Sequence, residues 1–337
     1  MDLHFHGAFG IDLMQAEGHE LDALSQALWQ NGVAGFVATT LSVPQPELLG
    51  ACERLGSWIR SGTAPGAQPL GLHLEGPFIS QAAAGAHPPG SIRPLTLSEV
   101  ETLWETSQRT LKILTVAPET LDNPTLKALA RFCKKNQIVL SAGHSRATKL
   151  QAERAFDAGF SGVTHGWNAM SFHQREPGLL GAALGRKDTY VELIIDQAHV
   201  EKTVLRWTHA LHPNGCCYVS DCVPAAKTQE GTWHSFGSSL QIQFDGHVCR
   251  LPNDALAGGG LLLGESYARW LKDECEETGE AWKPLWERTV QNLTTRPLQV
   301  LGLRKGLLDA FQVEWAPGKA PKPVPVTRQL TRRGQKV

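Results

Sequence analysis

The feature that most constrains the fold is a repeated alternation of short apolar β runs with longer helical patterns. The β runs are apolar on both faces, which is typical of parallel strands covered by helices on either side. Eight such runs predict a closed TIM-type (β/α)8 barrel rather than an open sheet. They lie at residues 3–6, 35–40, 70–75, 111–117, 138–143, 162–165, 191–196 and 218–221.

Polar residues able to bind a metal or move a proton stand at the carboxyl end of nearly every β run. A barrel gathers these strand ends around one mouth, so residues more than two hundred positions apart are predicted to meet there. One histidine at a strand end is commonly structural, but this repeated placement favours a functional site. The residues are His4, His6, Thr39, Thr40, Glu75, Glu119, His144, His165, Asp196 and Asp221.

Four of the runs carry residue types suited to a metal ion. His4 and His6 form an HxH pair whose side chains point to the same side of a strand. Glu75 ends its strand just before Gly-Pro, and His144 and His165 end the fifth and sixth runs. One glutamate with two histidines is a ligand set for a catalytic zinc that keeps one position open for water. Iron and manganese accept the same donors, so ligand type leaves the metal open.

Asp221 ends the last β run, in the segment Val219-Ser220-Asp221. An acid beside a metal-bound water can take a proton during attack and return it to a leaving amine. The alternative is a structural helix cap. Its position at the final strand end favours the catalytic role.

The β/helix alternation stops after Asp221, which divides the chain into two predicted parts. Residues 1–305 are predicted to form a metal-dependent hydrolase barrel, with a β-hairpin insertion at about 227–255. Residues 306–337 are predicted to be a C-terminal remnant with a basic, proline-rich tail. From Pro317 onward there are six basic residues, four prolines and no acid, which favours a solvated tail over a nucleic-acid-binding arm.

Composition excludes several classes of partner. The 32 Lys and Arg residues nearly balance 33 Asp and Glu, so no overall charge attracts nucleic acid or an anionic membrane. No apolar run approaches the ~20 residues of a membrane span. The start MDLHFHG lacks the features of a secretory signal, and the seven cysteines form no CxxC pair. We therefore expect a reduced, cytoplasmic protein.

Eight segments follow one another along the chain: DLHFHGAFGIDL, GLHLEGPF, VAPE, SAGHS, THGWNAM, REPG, DQAHV and VSDCVPA. Together they resemble the motifs of N-acetylglucosamine-6-phosphate deacetylases, in the amidohydrolase superfamily. The resemblance extends over about residues 2–305 and implies a metal-dependent deacetylase that hydrolyses the acetamide of N-acetylglucosamine 6-phosphate. It implies that Glu75, His144 and His165 are the main metal ligands and that Asp221 is the acid/base. The HxH of His4 and His6 leaves open one or two ions.

The same resemblance implies a substrate side. It assigns His87 to the sugar and acetamido group, Leu256 to the sugar pocket, and Arg175 to donation across a homodimer interface. The phosphate is assigned to Asn168, Ala169 and His199. The alternatives are structural roles: a surface ion pair for Arg175, a helix start for His199 and a turn for Asn168.

The family usually adds a small β-sandwich to the barrel. Only one residue precedes Asp2, and residues 307–315 match poorly, so this domain is expected to be reduced or absent.

Three rival functions follow from the same residues. An N-acetylgalactosamine-6-phosphate deacetylase would use the same site. Other amidohydrolases with bridged metal pairs commonly need a lysine at the end of the fourth strand, where this chain has Glu119 and places Lys112 at the opposite end. A non-catalytic sugar-phosphate-binding protein would not need a proton-shuttling acid such as Asp221.

Overall fold

The computed structural model describes residues 1–235, 240–303, 312–314 and 322–324. Eight parallel strands, hydrogen-bonded to one another in sequence order, form the central sheet, and helices alternate with them. The predicted (β/α)8 barrel is therefore confirmed. Its strands are β1 (Asp2–Phe5), β2 (Gly35–Thr40), β3 (Gln68–Glu75), β4 (Leu111–Val116), β5 (Val139–Ala142), β6 (Gly162–Val163), β7 (Tyr190–Ile194) and β8 (Cys216–Val219).

The barrel closes between its first and last strands. The Asp221 amide donates to the His4 carbonyl at 3.0 Å, and the His6 amide donates to the Cys222 carbonyl at 2.8 Å. These bonds place the end of β1 beside the end of β8, so His4, His6 and Asp221 come together although they are distant in sequence. The barrel interior also holds a group of apolar side chains, such as Leu3, Val37, Ile113, Ile194 and Val219.

The helices form because their apolar residues repeat at helical spacing and their ends are capped. In α4 the buried residues Leu126, Leu129, Ala130 and Cys133 make one apolar face, and the Asp122 side chain caps the first turn by accepting from the Thr125 amide. The helices are α1 (Gly18–Gln30), α2 (Gln45–Ser61), α3 (Leu97–Thr106), α4 (Asn123–Asn136), α5 (Lys149–Ala158), α6 (Gly178–Leu184), α7 (Lys202–Leu211), α8 (Leu263–Thr278), α9 (Trp282–Thr289) and α10 (Thr295–Val300).

The insertion after β8 is a four-stranded antiparallel sheet. Its strands are β9 (Gly231–Ser235), β10 (Leu240–Phe244), β11 (Val248–Arg250) and β12 (Leu256–Gly259), so two strands flank the hairpin read from the sequence. Gly259 bridges to Cys222, which fixes this sheet beside the barrel mouth.

The C-terminal region at 306–337 lies mostly outside the described residues; two short strands, Gln312–Glu314 and Lys322–Val324, pair there. Its assignment as a remnant domain stays a prediction. Among the helices that the structure describes, none combines the length and apolar character needed to cross a membrane.

Candidate metal centre and active site

A cavity of about 250 Å³ opens at the carboxyl end of the barrel strands. His4 lies fully buried beneath it, at the level of its floor. Arg175 is exposed on the loop after β6 and does not line this cavity. The other candidate residues line the cavity together: His6, Glu75, His87, His144, His165, Asn168, Ala169, His199, Asp221 and Leu256.

Glu75 is the centre of a cluster of imidazoles, with each carboxylate oxygen facing a different pair. Oε1 lies 3.1 Å from His144 Nε2 and 2.8 Å from His165 Nε2. Oε2 lies 3.3 Å from His4 Nε2 and 3.2 Å from His6 Nε2. The Nε2 atoms of each pair are themselves close, 3.0 Å apart for His144 and His165 and 3.2 Å for His4 and His6. Glu75 is thus placed to link two adjoining ligand sets.

The hydrogen bonds on the far side of two imidazoles show which nitrogen faces the cluster unprotonated. His144 Nδ1 lies 2.8 Å from the Ala83 carbonyl, an acceptor, so Nδ1 carries the hydrogen. His4 Nδ1 lies 3.1 Å from a carboxylate oxygen of Glu192 and is a donor for the same reason. When these rings are neutral, their Nε2 lone pairs point toward the Glu75 carboxylate. Such a cluster is stable only with extra protons or with cations, and this donor set fits divalent metal ions.

Electrostatics within the cluster support the same conclusion. Burial would raise the pKa of Glu75, but the charge on His4 and the hydrogen bond from His144 hold it well below its ordinary value. Burial would lower the pKa of His4, but the carboxylates of Glu75 and Asp221 raise it well above the usual range. The pKa of His6 is raised against burial by Asp221 and Glu75. The protein therefore concentrates negative charge where a cation can bind.

Asp221 faces the HxH side of the cluster. Its Oδ1 atom lies 3.4 Å from His4 Nε2 and 3.3 Å from His6 Nε2. Burial would raise the pKa of Asp221, but the charges on His4 and His6 lower it well below the usual value. Residues 222–230, all described, form no helix after Asp221, so a helix-cap role is excluded. The carboxylate is ionised at neutral pH and lines the cavity.

His87 faces the Glu75 carboxylate as a hydrogen-bond donor rather than as a metal ligand. Its Nδ1 atom accepts from the Ser42 amide at 3.2 Å, so the hydrogen of the neutral ring is assigned to Nε2. Nε2 lies 3.4 Å from Glu75 Oε2. Burial and the neighbouring charge of His144 lower the pKa of His87 to about 4. At neutral pH it therefore offers an uncharged N–H at the cavity wall.

The opposite wall carries a histidine paired with an acid. His199 Nδ1 lies 2.7 Å from Asp196 Oδ2, and Asp196 Oδ1 accepts from the His199 and Ala198 amides. Burial would lower the pKa of His199, but its hydrogen bond to Asp196 raises it. Asn168 uses its amide group to donate to the His165 and Gly166 carbonyls. This wall thus presents an imidazole whose orientation is fixed by Asp196 and whose charged form Asp196 favours.

Not every polar strand end joins the cluster. Glu119 turns away to accept from the Ser145 hydroxyl and the Arg146 amide, and so holds the loop after His144. Thr39 Oγ1 accepts from the Phe5 amide. Asp196 serves His199 rather than the metal cluster. These residues support the loops that carry the site.

Two residues were missed by sequence reasoning. Glu192 bonds His4 from within β7, and Ser42 fixes the ring of His87 with both its amide and its hydroxyl. A lone acid inside the otherwise apolar strand Tyr190–Ile194 was a readable signal for Glu192. Ser42 had no such signal, because its loop position gives no register.

An eight-stranded barrel whose mouth gathers one glutamate, four histidines and an aspartate defines a metal-dependent hydrolase of the amidohydrolase kind. The chain is 35% identical over 264 residues to an N-acetylgalactosamine-6-phosphate deacetylase of Escherichia coli O157:H7, covering 78% of this chain and 68% of that protein. It is 33% identical over 299 residues to the N-acetylglucosamine-6-phosphate deacetylase of Bacillus subtilis (strain 168), covering 87% and 72%. The chain belongs to the N-acetylglucosamine-6-phosphate deacetylase family.

Solved structures agree with this placement. An N-acetyl-D-glucosamine-6-phosphate deacetylase mutant from Mycobacterium smegmatis, in complex with N-acetyl-D-glucosamine-6-phosphate, superposes with a TM-score of 0.81 at 27% identity, covering 90% of this chain and 77% of that one. The Thermotoga maritima N-acetylglucosamine-6-phosphate deacetylase gives a TM-score of 0.76 at 29% identity, covering 89% and 77%. A search of protein-family models finds no match.

Proposed function

We propose that this protein hydrolyses the acetamide of N-acetylglucosamine 6-phosphate to glucosamine 6-phosphate and acetate. The observation that carries the proposal is the ionised Asp221 carboxylate, which lines the cavity 3.3 to 3.4 Å from the histidines of the Glu75 cluster. Glu75, His144 and His165 would hold the main divalent ion, and His4 and His6 with Glu75 a second one. Zinc is the first candidate, and iron(II) or manganese(II) suit the same donors. Such an ion lowers the pKa of water and polarises a carbonyl.

Asp221 would act as the acid/base. Its lowered pKa keeps it ionised, so it can accept a proton from the attacking water. Once protonated, it can deliver that proton to the departing amine, which must leave as a neutral group. His87 would donate its Nε2 hydrogen to the oxygen that becomes negative as the acetamide carbon turns tetrahedral.

The remaining cavity wall suits a phosphorylated sugar. His199, whose charged form is favoured by its bond to Asp196, would pair with the phosphate, together with Asn168 and Ala169. Leu256 would supply an apolar contact to the sugar ring. These remote contacts would orient the acetamide for attack without taking part in it.

Arg175 would reach the phosphate from a second copy of the chain. It is exposed, lies outside the cavity of its own chain, and has the exposed Phe172 near it in the loop. We infer a homodimer in which each chain completes the phosphate site of the other. All seven cysteines are free, which supports a reducing, cytoplasmic location.

The test is acetate release from N-acetylglucosamine 6-phosphate by metal-loaded wild type and by Asp221→Asn at equal metal content. We expect turnover by the wild type and a loss of about 10³-fold or more in the variant, because no group remains to move the proton. The galactosamine epimer is assayed in parallel, since one relative is named for it. Acetate release from the galactosamine epimer alone would identify that epimer as the substrate. Tight binding without acetate from either sugar would favour the non-catalytic reading.

A further inference from the structure

Glu192 is a buried acid at the centre of the barrel that the proposed reaction does not use. It lies in β7, fully buried, one level beneath the cavity. Its Oε2 atom lies 3.1 Å from His4 Nδ1 and accepts from the His165 amide at 3.2 Å. It therefore contacts one histidine from each half of the cluster around Glu75. Within the described part of the chain, Glu192 Oε1 has no hydrogen-bond partner.

The bond to His4 decides what that ring can do. A carboxylate can only accept hydrogen bonds, so Glu192 fixes the hydrogen of neutral His4 on Nδ1. The Nε2 lone pair of His4 then points toward Glu75 and Asp221. The ring of His73 packs edge-on against His4, with ring centroids 4.7 Å apart. His4 is thus held in both its tautomer and its orientation.

A buried charge on Glu192 requires a nearby positive charge. Among the described residues its only ion-pair partner is His4, and a buried carboxylate without a cation is costly. Its charge contributes to raising the pKa of Tyr190 and of Cys217, whose main cause is burial. A cation bound at His4 Nε2 would polarise the Nδ1–H bond toward Glu192 and so strengthen that hydrogen bond.

We propose that Glu192 is a positioning residue that makes the His4 and His6 half of the cluster competent to bind a second divalent ion. The inference rests on the proposed metal centre, but not on its substrate or its catalytic step. The bond to the His165 amide gives Glu192 only a backbone contact with the other half. We therefore expect its removal to weaken the second ion more than the first.

The experiment is a zinc titration of metal-free protein against a chromophoric chelator, with bound zinc also counted directly. Glu192→Leu removes the acceptor at similar volume, and Glu192→Gln keeps a neutral carbonyl acceptor. Tyr190→Phe is the matched control, because Tyr190 is buried two residues earlier on the same strand and, in the described part of the chain, its hydroxyl bonds no ligand residue.

Wild type and Tyr190→Phe should bind two zinc ions. In Glu192→Leu the second ion should bind about 10- to 100-fold more weakly, with the first changed less than about threefold. Glu192→Gln should lie between, about three- to tenfold weaker at the second ion, because a neutral acceptor forms the weaker bond. If Glu192→Leu does not fold, Glu192→Gln carries the test alone.

Three results would overturn the proposal: a second ion bound as tightly by both Glu192 variants as by wild type, an equal loss in Tyr190→Phe, or a single ion in wild type. Zinc binding as expected without acetate release would leave this inference standing. It would count against the deacetylase reaction alone.

Discussion

At the scale of single residues, the site depends on backbone conformations that side-chain-bearing residues seldom adopt. His144, His165 and Asp221 have φ values of 45°, 29° and 51°, in or near the left-handed region. The sequence had suggested that each residue ends its strand, but each lies two residues beyond the end of its strand. The turn at these residues sets the direction in which each side chain leaves the strand, and such strained backbone is common at functional sites.

The residue types of the cluster were readable from the sequence, but their partners were not. Glu75 and the four histidines stand out because each interrupts or ends an apolar run. The pairing of one Glu75 oxygen with His4 and His6 and the other with His144 and His165 depends on barrel closure. The eight β runs predict a closed barrel, but they do not show which oxygen faces which pair.

His87 should matter for the chemical step more than for binding. In His87→Phe the N–H donor facing the cluster is lost, so we expect kcat to fall about 10²- to 10³-fold with KM changed only a few-fold. Steady-state kinetics on the phosphorylated sugar measure both. Ser42→Ala, which removes only the hydroxyl bond to His87 Nδ1, should cost much less. An equal rise in KM with unchanged kcat would assign His87 to binding instead.

Asp196 should act on the phosphate through His199. Asp196→Asn removes the carboxylate that raises the pKa of His199, so the imidazole should lose its charge at a lower pH. We expect KM for the 6-phosphate sugar at pH 7.5 to rise about tenfold, while kcat/KM for the unphosphorylated sugar stays within a few-fold. The increase in KM should shrink toward pH 6. An equal effect on both sugars would contradict the phosphate assignment.

At the scale of elements, the alternation of strands and helices could be predicted from apolar periodicity, but the ends of the strands could not. The helix starts depend on individual side chains: α4 begins at Asn123, and Asp122 caps it. Strand β6 contains only Gly162–Val163, because the chain leaves the sheet early to place His165. The two flanking strands of the insertion were not foreseen. Gly231–Ser235 pairs with Leu240–Phe244, and Leu256–Gly259 pairs with Val248–Arg250, but neither flanking segment is an apolar run that would mark it as a strand.

The packing of α7 against the barrel should make stability depend on pH. Burial, with the charges of Arg288 and Arg296, lowers the pKa of His209 to about 4, and its Nε2 lies 2.7 Å from the Tyr218 hydroxyl. The folded state therefore resists protonation of His209. The stability that neutral His209 contributes is complete above about pH 6.5 and is lost as the pH falls toward about 4.

Thermal unfolding midpoints of wild type and His209→Gln, measured from pH 7.5 to 5, test this effect. The advantage of wild type should shrink as the pH falls. The pKa difference sets an upper bound of about 3 kcal/mol, and solvent screening of the half-buried ring makes the effect smaller. A difference between the two proteins that is independent of pH would refute the linkage. Tyr218→Phe controls for loss of the hydrogen bond alone.

At the scale of the whole molecule, the barrel and its mouth were predictable because one pattern repeats eight times and each repeat ends at the same place. The insertion and the C-terminal region break that pattern, so sequence spacing says little about them. The active-site cavity shows the same division. Its metal side is built by strand ends, whereas Leu256, Ala257 and Gly258 come from the insertion. The resemblance to known motifs, rather than periodicity, pointed to Leu256.

Mixing two variant subunits tests whether Arg175 acts across a dimer interface. Arg175→Ala should raise KM for the phosphorylated sugar, and Asp221→Asn should abolish turnover, so each variant alone is impaired. In a mixed dimer with Arg175 acting in trans, the Asp221→Asn chain supplies its intact Arg175 to the chain that keeps Asp221.

One of the two sites in each mixed dimer is then complete. Random exchange at equal concentrations makes about half of the dimers mixed, so about a quarter of the wild-type sites should be recovered with wild-type KM. Unmixed samples combined just before the assay control for simple addition of activities. If Arg175 acts within its own chain, every site in the mixture lacks either the arginine or the acid. Activity would then stay at the sum of the two variants, and the homodimer would have no role in completing the site.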